Sequence, residues 1–200
     1  MNRSFLPFLF GFSLLLTTSL SAQKPVEKSY YPISEGNKWH YLIKADGQPE
    51  RKLTYQIAKI EMIDGESLAR LETVINGNVA ASEHLQITEK GLFRKRFNGT
   101  EINPPICLLK FPIKDGEKWE SNTKTGPTEL MVKCHCEMDE TSVPAGKFQC
   151  ARVMVETEQN GVKIRTTYWF APKIGMVKQF VEINSKPFTL VLDKFESSKP

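Results

Sequence analysis

The sequence predicts an all-β protein, an antiparallel meander of about ten or eleven strands that curls into a barrel, a half-barrel or a sandwich. Three observations support this fold class. Apolar and polar residues alternate with a period of two, tight-turn dipeptides separate the alternating segments at short spacing, and one eight-residue phrase occurs twice. A flat sheet this wide is improbable because strand twist accumulates, so curling is expected.

The alternation is clearest in two segments. Residues 162–170 place Val162, Ile164, Tyr168 and Phe170 on one face. Residues 130–138 do the same for Leu130, Val132, Cys134, Cys136 and Met138, which are expected on the core side. In the run 51–63 the apolar phase changes near Ile57-Ala58, which indicates a β-bulge or a break.

Turn dipeptides fix where the strands end. Asn76-Gly77 and Asn160-Gly161 are the strongest hairpin signals, because a type I′ turn needs positive φ at both central residues. The irregular segment 97–110, with Asn103-Pro104-Pro105, joins the two halves and is expected to be a boundary between them or a rim loop. The predicted strands are 38–45, 51–63, 67–76, 79–88, 91–97, 118–123, 128–139, 148–159, 162–170, 174–184 and 187–196.

The repeated phrase indicates an internal duplication. The segment from Pro32 to Trp39 recurs, 80 positions later, from Pro112 to Trp119, and further echoes follow at a spacing of 84. We therefore expect residues 23–200 to form a single β domain of two tandem units, about 30–109 and 110–196, with Trp39 and Trp119 in equivalent positions. The residues expected to shape the turns and anchor the strands are Gly36, Trp39, Gly116, Trp119, Gly146 and Gly175.

Residues 1–22 have the pattern of a signal peptide. Arg3 precedes an apolar run from Phe5 to Leu16, which is too short to span a bilayer, and small or polar residues follow. Cleavage after Ser21 or Ala22 fits equally well. The mature protein is expected in the periplasm or outside the cell, without stable membrane insertion.

The charge pattern argues against nucleic-acid binding. The 200 residues carry a net charge of +4, and the basic and acidic residues are interleaved. The densest basic run, from Arg94 to Arg96, is expected at a solvated strand edge.

Four cysteines allow two disulfides in an exported chain, with three possible pairings. A bond from Cys134 or Cys136 to Cys150, across the hairpin turned by 143–146, is the expected one. The alternatives are buried free thiols, or a copper(I) or zinc site at Cys134-His135-Cys136 with Cys107 or Cys150 as a third ligand. We predict no metal and no cofactor.

Catalytic motifs are absent from the sequence. It has no Gly-x-Ser-x-Gly elbow, no phosphate-binding glycine loop and no His-Glu-x-x-His. His40 and His84 lie in predicted strands without a nucleophile beside them and are expected to be ordinary surface or half-buried residues. No catalytic residue is predicted, and the protein is not expected to be an enzyme.

Three segments resemble a known family. They are Tyr31 to Gly36, Val143 to Cys150 and Tyr168 to Lys178, which contains the strand ending in Gly175-Met176-Val177-Lys178. Together they resemble the exported bacterial domains of unknown function called TapB-like. The resemblance spans roughly residues 30–184 and implies an envelope location and an all-β fold.

Three function hypotheses follow. The first is an exported envelope protein that binds a lipid or another apolar or amphipathic ligand on the concave face of its sheet. The second is a structural or protein-interaction module of the envelope that uses exposed strand edges. The third is a metal or redox protein that uses its thiols.

Overall fold

A computed structural model describes residues 30–159 and 161–198. The predicted signal peptide lies outside these residues. Within them, twelve antiparallel strands form a closed barrel. The strands are β1 (Lys38–Lys44), β2 (Arg51–Ile63), β3 (Glu66–Ile75), β4 (Asn78–Thr88), β5 (Gly91–Phe97), β6 (Thr100–Lys110), β7 (Lys118–Thr125), β8 (Thr128–Val143), β9 (Gly146–Gln159), β10 (Val162–Ala171), β11 (Gly175–Ile183) and β12 (Lys186–Glu196).

The barrel closes between its first and last strands. Each strand pairs with its neighbours in sequence, and β1 pairs with β12 from Lys38 opposite Glu196 to Lys44 opposite Thr189. The all-β antiparallel prediction is confirmed, and every predicted strand is present. No helix in the described part of the chain is long and apolar enough to cross a bilayer.

The expected rim loop at 97–110 is wrong, because most of it forms β6. Pro104 and Pro105 cannot donate to a ladder, so the sequence of this segment reads as irregular. The β5–β6 register accommodates them in a bulge: Arg96 lies opposite Glu101, whereas Arg94 lies opposite Ile106. The bulge expected near Ile57-Ala58 is confirmed, since the β2–β3 register shifts between Ile57 and Lys59.

Inward-facing side chains from all parts of the sheet fill the barrel. The alternation that predicted the strands places one apolar face of each strand in this core. Met138 is the exception to the expected face of β8: it is 48% exposed. β8 runs on to Val143, past the predicted end at 139. The largest fully buried side chains are Trp39, Tyr41, Phe170, Ile57, Leu68, Leu85, Leu92, Leu109 and Leu192.

Aromatic residues plug one end of the barrel. Trp39 is 0% exposed, and its indole N–H donates to the carbonyl of Ile174 at 2.5 Å. The Tyr31 ring stacks obliquely on Trp39, with 5.2 Å between ring centroids. Gly175 lies beneath both rings; a Cβ there would come within 3.3 Å of each, and its φ is +96°. This position therefore requires glycine.

The two copies of the repeated phrase form the same turn. The Gly36 N–H donates to the carbonyl of Ile57 at 2.8 Å, and the Gly116 N–H donates to that of Cys136 at 2.9 Å. The same partners also donate in return. The Ile57 N–H donates to the carbonyl of Asn37 at 2.9 Å, and the Cys136 N–H donates to that of Glu117 at 2.8 Å. The division of the chain into two tandem units stays a prediction, which these matched bonds support.

Candidate interaction site

The barrel wall is weakest between β6 and β7. These strands share two residue pairs, Ile102 with Thr125 and Asn103 with Lys124. Elsewhere in the described barrel, neighbouring strands share six or more pairs. Residues 104–110 of β6 and 118–123 of β7 therefore face each other without a backbone ladder. We call this stretch the β6–β7 seam.

The amino-acid sequence explains the seam. Pro104 and Pro105 follow the last paired residue of β6, and neither has an N–H to donate. Side chains of β7 supply donors instead. The Thr123 hydroxyl donates to the carbonyl of Pro104, and the Trp119 indole N–H donates to the carbonyl of Cys107 at 3.0 Å. An ion pair between Lys110 and Glu117, at 2.7 Å, lies at the far end.

Open grooves flank the seam on the outer wall. One of about 490 Å³ is lined by Asn103, Pro104, Asn122 and Met131, among others. A second, of about 450 Å³, lies at the other end of β7 and is lined by residues that include Trp119 and His135. Met131 is 49% exposed, so the first groove offers apolar surface beside polar backbone. Both volumes suit single side chains or short segments of a partner.

A row of alternating charges crosses the outer wall from the seam. Glu120, Lys133, Glu156, Arg165 and Glu182 lie opposite one another in successive strands β7 to β11. Arg165 binds Glu156 at 3.1 Å and Glu182 at 3.3 Å. Exposed pairs of this kind contribute little stability. The row borders a groove of about 660 Å³.

The expected disulfide to Cys150 is not formed, and all four cysteines are free thiols in the structure. Cys150 pairs with Asp139, whereas Cys136 pairs with Val153. Paired residues share a face and successive residues alternate, so Asp139 and Cys150 point away from the face of Cys136 and Cys134. The sulfur of Cys134 lies 3.9 Å from the backbone carbonyl oxygen of Cys107.

Cys150 is fully buried, on the face of the long β8–β9 hairpin that packs against the outer wall of the barrel. The hairpin bends across the wall until the Ala145 N–H donates to the carbonyl of Leu192 at 3.0 Å. Asp139 accepts the indole N–H of Trp169 at 2.9 Å, and this bond is the main reason that the pKa of Asp139 lies below its ordinary value. Lys178 lies over the same ring, 4.5 Å from its centroid. The hairpin tip therefore rests on the wall as a second layer.

The remaining residues singled out from sequence are dispersed. Gly36 and Gly116 form the two matched turns, and Gly146 begins β9 against the Phe148 ring. His40 bonds to Thr54 at 3.0 Å.

His84 is more buried than expected, at 7% exposed. It binds Glu61 at 2.8 Å and, after Lys59, is a cause of the lowered pKa of that carboxyl. Among the described residues, no three His, Cys, Asp or Glu side chains are arranged to hold a metal ion.

The basic run at 94–96 is not a solvated edge. Arg94 points into the barrel and binds Glu83 at 2.6 Å, with Tyr168 at 3.4 Å. Lys95 binds Glu66 at 2.7 Å and Arg96 donates to the carbonyl of Gly99 at 2.9 Å. A cavity of about 30 Å³ adjoins the inner ion pair, which is room for one or two water molecules.

Two solved structures resemble the chain. One is a Bacteroides fragilis protein, provisionally named as exported, whose fold is described as YmcC-like. The structural match covers 84% of this chain and 98% of the Bacteroides fragilis chain, at 16% sequence identity and a TM-score of 0.50. The other, a provisionally named lipoprotein from Parabacteroides distasonis, has the same coverage at 12% identity and a TM-score of 0.48. No family model and no curated protein sequence matches the chain. The likeness to the Bacteroides fragilis protein shows that the two chains share a fold.

Proposed function

We propose that the protein is an exported, non-enzymatic interaction module of the cell envelope, and that it receives an extended segment of a partner protein at the β6–β7 seam. The observation that carries the proposal is the seam itself, the one described junction where adjacent strands share only two residue pairs. The backbone groups on this side of residues 118–122 have no ladder partner in β6. Unpaired strand backbone is the usual template for strand addition.

The surroundings of the seam favour an extended polypeptide. Grooves at its two ends provide places for side chains, and the charge row from Glu120 to Glu182 begins beside it. Main-chain hydrogen bonds would supply affinity, and the grooves would supply specificity. The envelope location rests on the signal-like residues 1–22 and on the TapB-like motifs, and the provisional name of the Bacteroides fragilis protein agrees with it.

Carriage of a lipid or another apolar ligand inside the barrel is less well supported. Drug-sized ligands occupy pockets of about 300–1,000 Å³. The inner cavity beside the Arg94–Glu83 ion pair has about 30 Å³ and is lined in part by tyrosines. Native mass spectrometry of the periplasmic protein, with a fluorescent fatty acid as probe, decides this alternative. A copurifying lipid, or saturable binding of the probe, would favour carriage over strand acceptance.

Site-specific photo-crosslinking in intact cells tests the seam. A photo-reactive amino acid replaces Glu120 on β7 in one variant and His40 in the other. His40 lies 80 positions earlier on β1, which has ladder partners on both sides. We expect one adduct of defined mass from position 120 and none from position 40. The same adduct from both positions, or none from position 120, would count against the seam.

A pair of proline replacements sharpens this test. Pro104→Ala/Pro105→Ala restores two N–H donors to β6, so the seam should close and the adduct from position 120 should fall several-fold. Pro187→Ala, on β12, is the matched control, because Pro187 already lies in a continuous ladder opposite Glu182. An adduct that is insensitive to the seam replacements would place the partner elsewhere on β7.

A further inference from the structure

Two uncompensated charges of β7 lie at the open part of the β6–β7 seam. Lys118 and Glu120 are exposed, and among the described residues neither forms an ion pair. The charges near the two ends of the seam are paired, Lys110 with Glu117 and Lys124 with Glu129, each at 2.7 Å. A strand that enters the seam would therefore meet two free charges of opposite sign, two residues apart on β7.

The ladder with β8 fixes which way the side chains of β7 face. Trp119 lies opposite Cys134, which is buried in the core. Because successive residues of a strand alternate, Trp119 and Ser121 face the barrel, whereas Lys118 and Glu120 project from the outer wall. A strand paired with β7 would place charged side chains opposite the second pair and apolar side chains opposite the first.

The two edges of the seam determine the direction of an incoming strand. Since β6 and β7 are antiparallel, a strand between them runs antiparallel to one and parallel to the other. The β6 edge is the poorer one, because Pro104 and Pro105 have no N–H and its carbonyls already accept side-chain donors from β7. The backbone at 118–122 has no ladder partner on this side, and antiparallel ladders are slightly more stable per residue. The strand should therefore run antiparallel to β7.

We infer that the seam accepts a segment with the order apolar, basic, apolar, acidic. The inference rests on the proposed function, because it describes the partner of the same seam. In an antiparallel ladder the residue opposite Glu120 precedes the residue opposite Lys118 by two positions. A Lys or Arg opposite Glu120 and an Asp or Glu opposite Lys118 compensate both free charges. The two apolar residues lie opposite Ser121 and Trp119 and face the barrel.

Two fluorescent peptides of the same composition test the inference. One contains Thr-Val-Lys-Val-Glu and the other Thr-Val-Glu-Val-Lys, so that their net charges are equal and only the order of the charges differs. Fluorescence anisotropy measures their binding to the full chain, expressed for export. The wild type should bind the first peptide about ten-fold more tightly, because the second places like charges opposite Lys118 and Glu120. The variant Lys118→Glu/Glu120→Lys should reverse this preference.

Pro104→Ala/Pro105→Ala, which should close the seam, is the control for binding elsewhere and should weaken binding of the first peptide. Equal affinity of the wild type for both peptides, or a preference for the second, would overturn the inferred order. If that binding still falls in the proline variant, strand acceptance at the seam would stand. A preference that persists in the proline variant would also overturn the inference, since the peptide then binds outside the seam. Binding of neither peptide would count against strand acceptance itself and so against the proposed function.

Discussion

The indole of Trp119 donates to the carbonyl oxygen of Cys107 at 3.0 Å, across a junction where the backbones of the two strands have separated. Its counterpart in the repeated phrase, Trp39, donates to the carbonyl of Ile174 at 2.5 Å inside the plugged end of the barrel. The two tryptophans follow equivalent turns but make different contacts: Trp119 bridges the seam, and Trp39 packs in the core.

Trp119→Phe should loosen the seam specifically. A smaller aromatic ring remains, but the Cys107 carbonyl loses its donor, at a cost of about 1–3 kcal/mol if the oxygen stays buried. Hydrogen exchange should accelerate in 104–110 and 118–123. Trp39→Phe is the control: it loses a comparable bond and should lower the free energy of unfolding without selective exchange in the seam. Uniform protection loss in both variants would show that the indole bond does not hold the seam.

Glu83→Gln should be strongly destabilising, because it leaves the Arg94 guanidinium inside the barrel without its charged partner at 2.6 Å. Breaking one side of a buried pair costs about 3–5 kcal/mol, whereas replacing both partners by apolar residues is often neutral. Urea unfolding of Glu83→Gln and of Glu83→Leu/Arg94→Leu compares the two. Arg165→Ala removes an exposed pair and should change stability by less than about 1 kcal/mol. Equal effects for Glu83→Gln and Arg165→Ala would mean that water reaches Arg94.

The protein should lose stability above pH 10. Burial raises the pKa of Tyr31, Tyr41 and Tyr55 above the ordinary value of 10. Below pH 10 both states hold these protons, so stability is fully present. At higher pH only the unfolded chain releases them, and each tyrosine then costs about 1.4 kcal/mol per pH unit. The thiols of Cys136 and Cys150, whose pKa values are also raised by burial, add to the loss from about pH 9.

Tyr41→Phe isolates one of these groups. It loses the hydroxyl bond to the Met176 carbonyl, at 2.6 Å, so the variant starts less stable. Its free energy of unfolding should nevertheless fall less steeply with pH than that of the wild type between pH 10 and 11. The difference between the two slopes should correspond to about one proton. Urea titrations at several pH values measure that slope. A wild-type slope unchanged by the substitution would mean that Tyr41 ionises in the folded protein.

Gly91→Ala should displace β6 from β5. A Cβ at this position would lie 2.3 Å from the backbone oxygen of Leu109, and the φ of +151° already disfavours other residues. Because the clash is with backbone, a rotamer change cannot relieve it. Gly47→Ala, where the space is open and φ is +68°, measures the left-handed strain alone. Thermal unfolding should give Gly91→Ala a lower melting temperature than Gly47→Ala. The reverse order would show that β6 can shift without cost.

The elements that could be predicted from the sequence are those with local signals. Alternation and Asn-Gly turns act within ten or so residues, so the strands and the hairpin at 76–77 could be predicted. Asn160, of the second predicted turn, lies outside the described residues. The strand β6 could not be predicted, because its pairing with β5 depends on a bulge around two prolines. Closure by β1 and β12 was left open because it joins the most distant strands.

The missed site residues share one cause, which is register. Cys150 was expected beside Cys134 or Cys136, but its facing depends on how far β8 extends before the turn. Arg94 lies in a basic run that predicts a surface position. The β4–β5 register, which shifts between His84 and Leu85, places Arg94 opposite Leu85 and toward the core. Asn103-Pro104-Pro105 was the one local sign of the seam.

Pairing of β1 with β12 has a consequence for how the chain could be rearranged. The Ser198 N–H donates to the Asn37 side chain at 2.7 Å, so the first and last described strands meet at one corner. A ring of strands has no structural beginning. A short linker across that corner would allow circular permutation, with new ends in the 111–117 link and the order of the two halves exchanged.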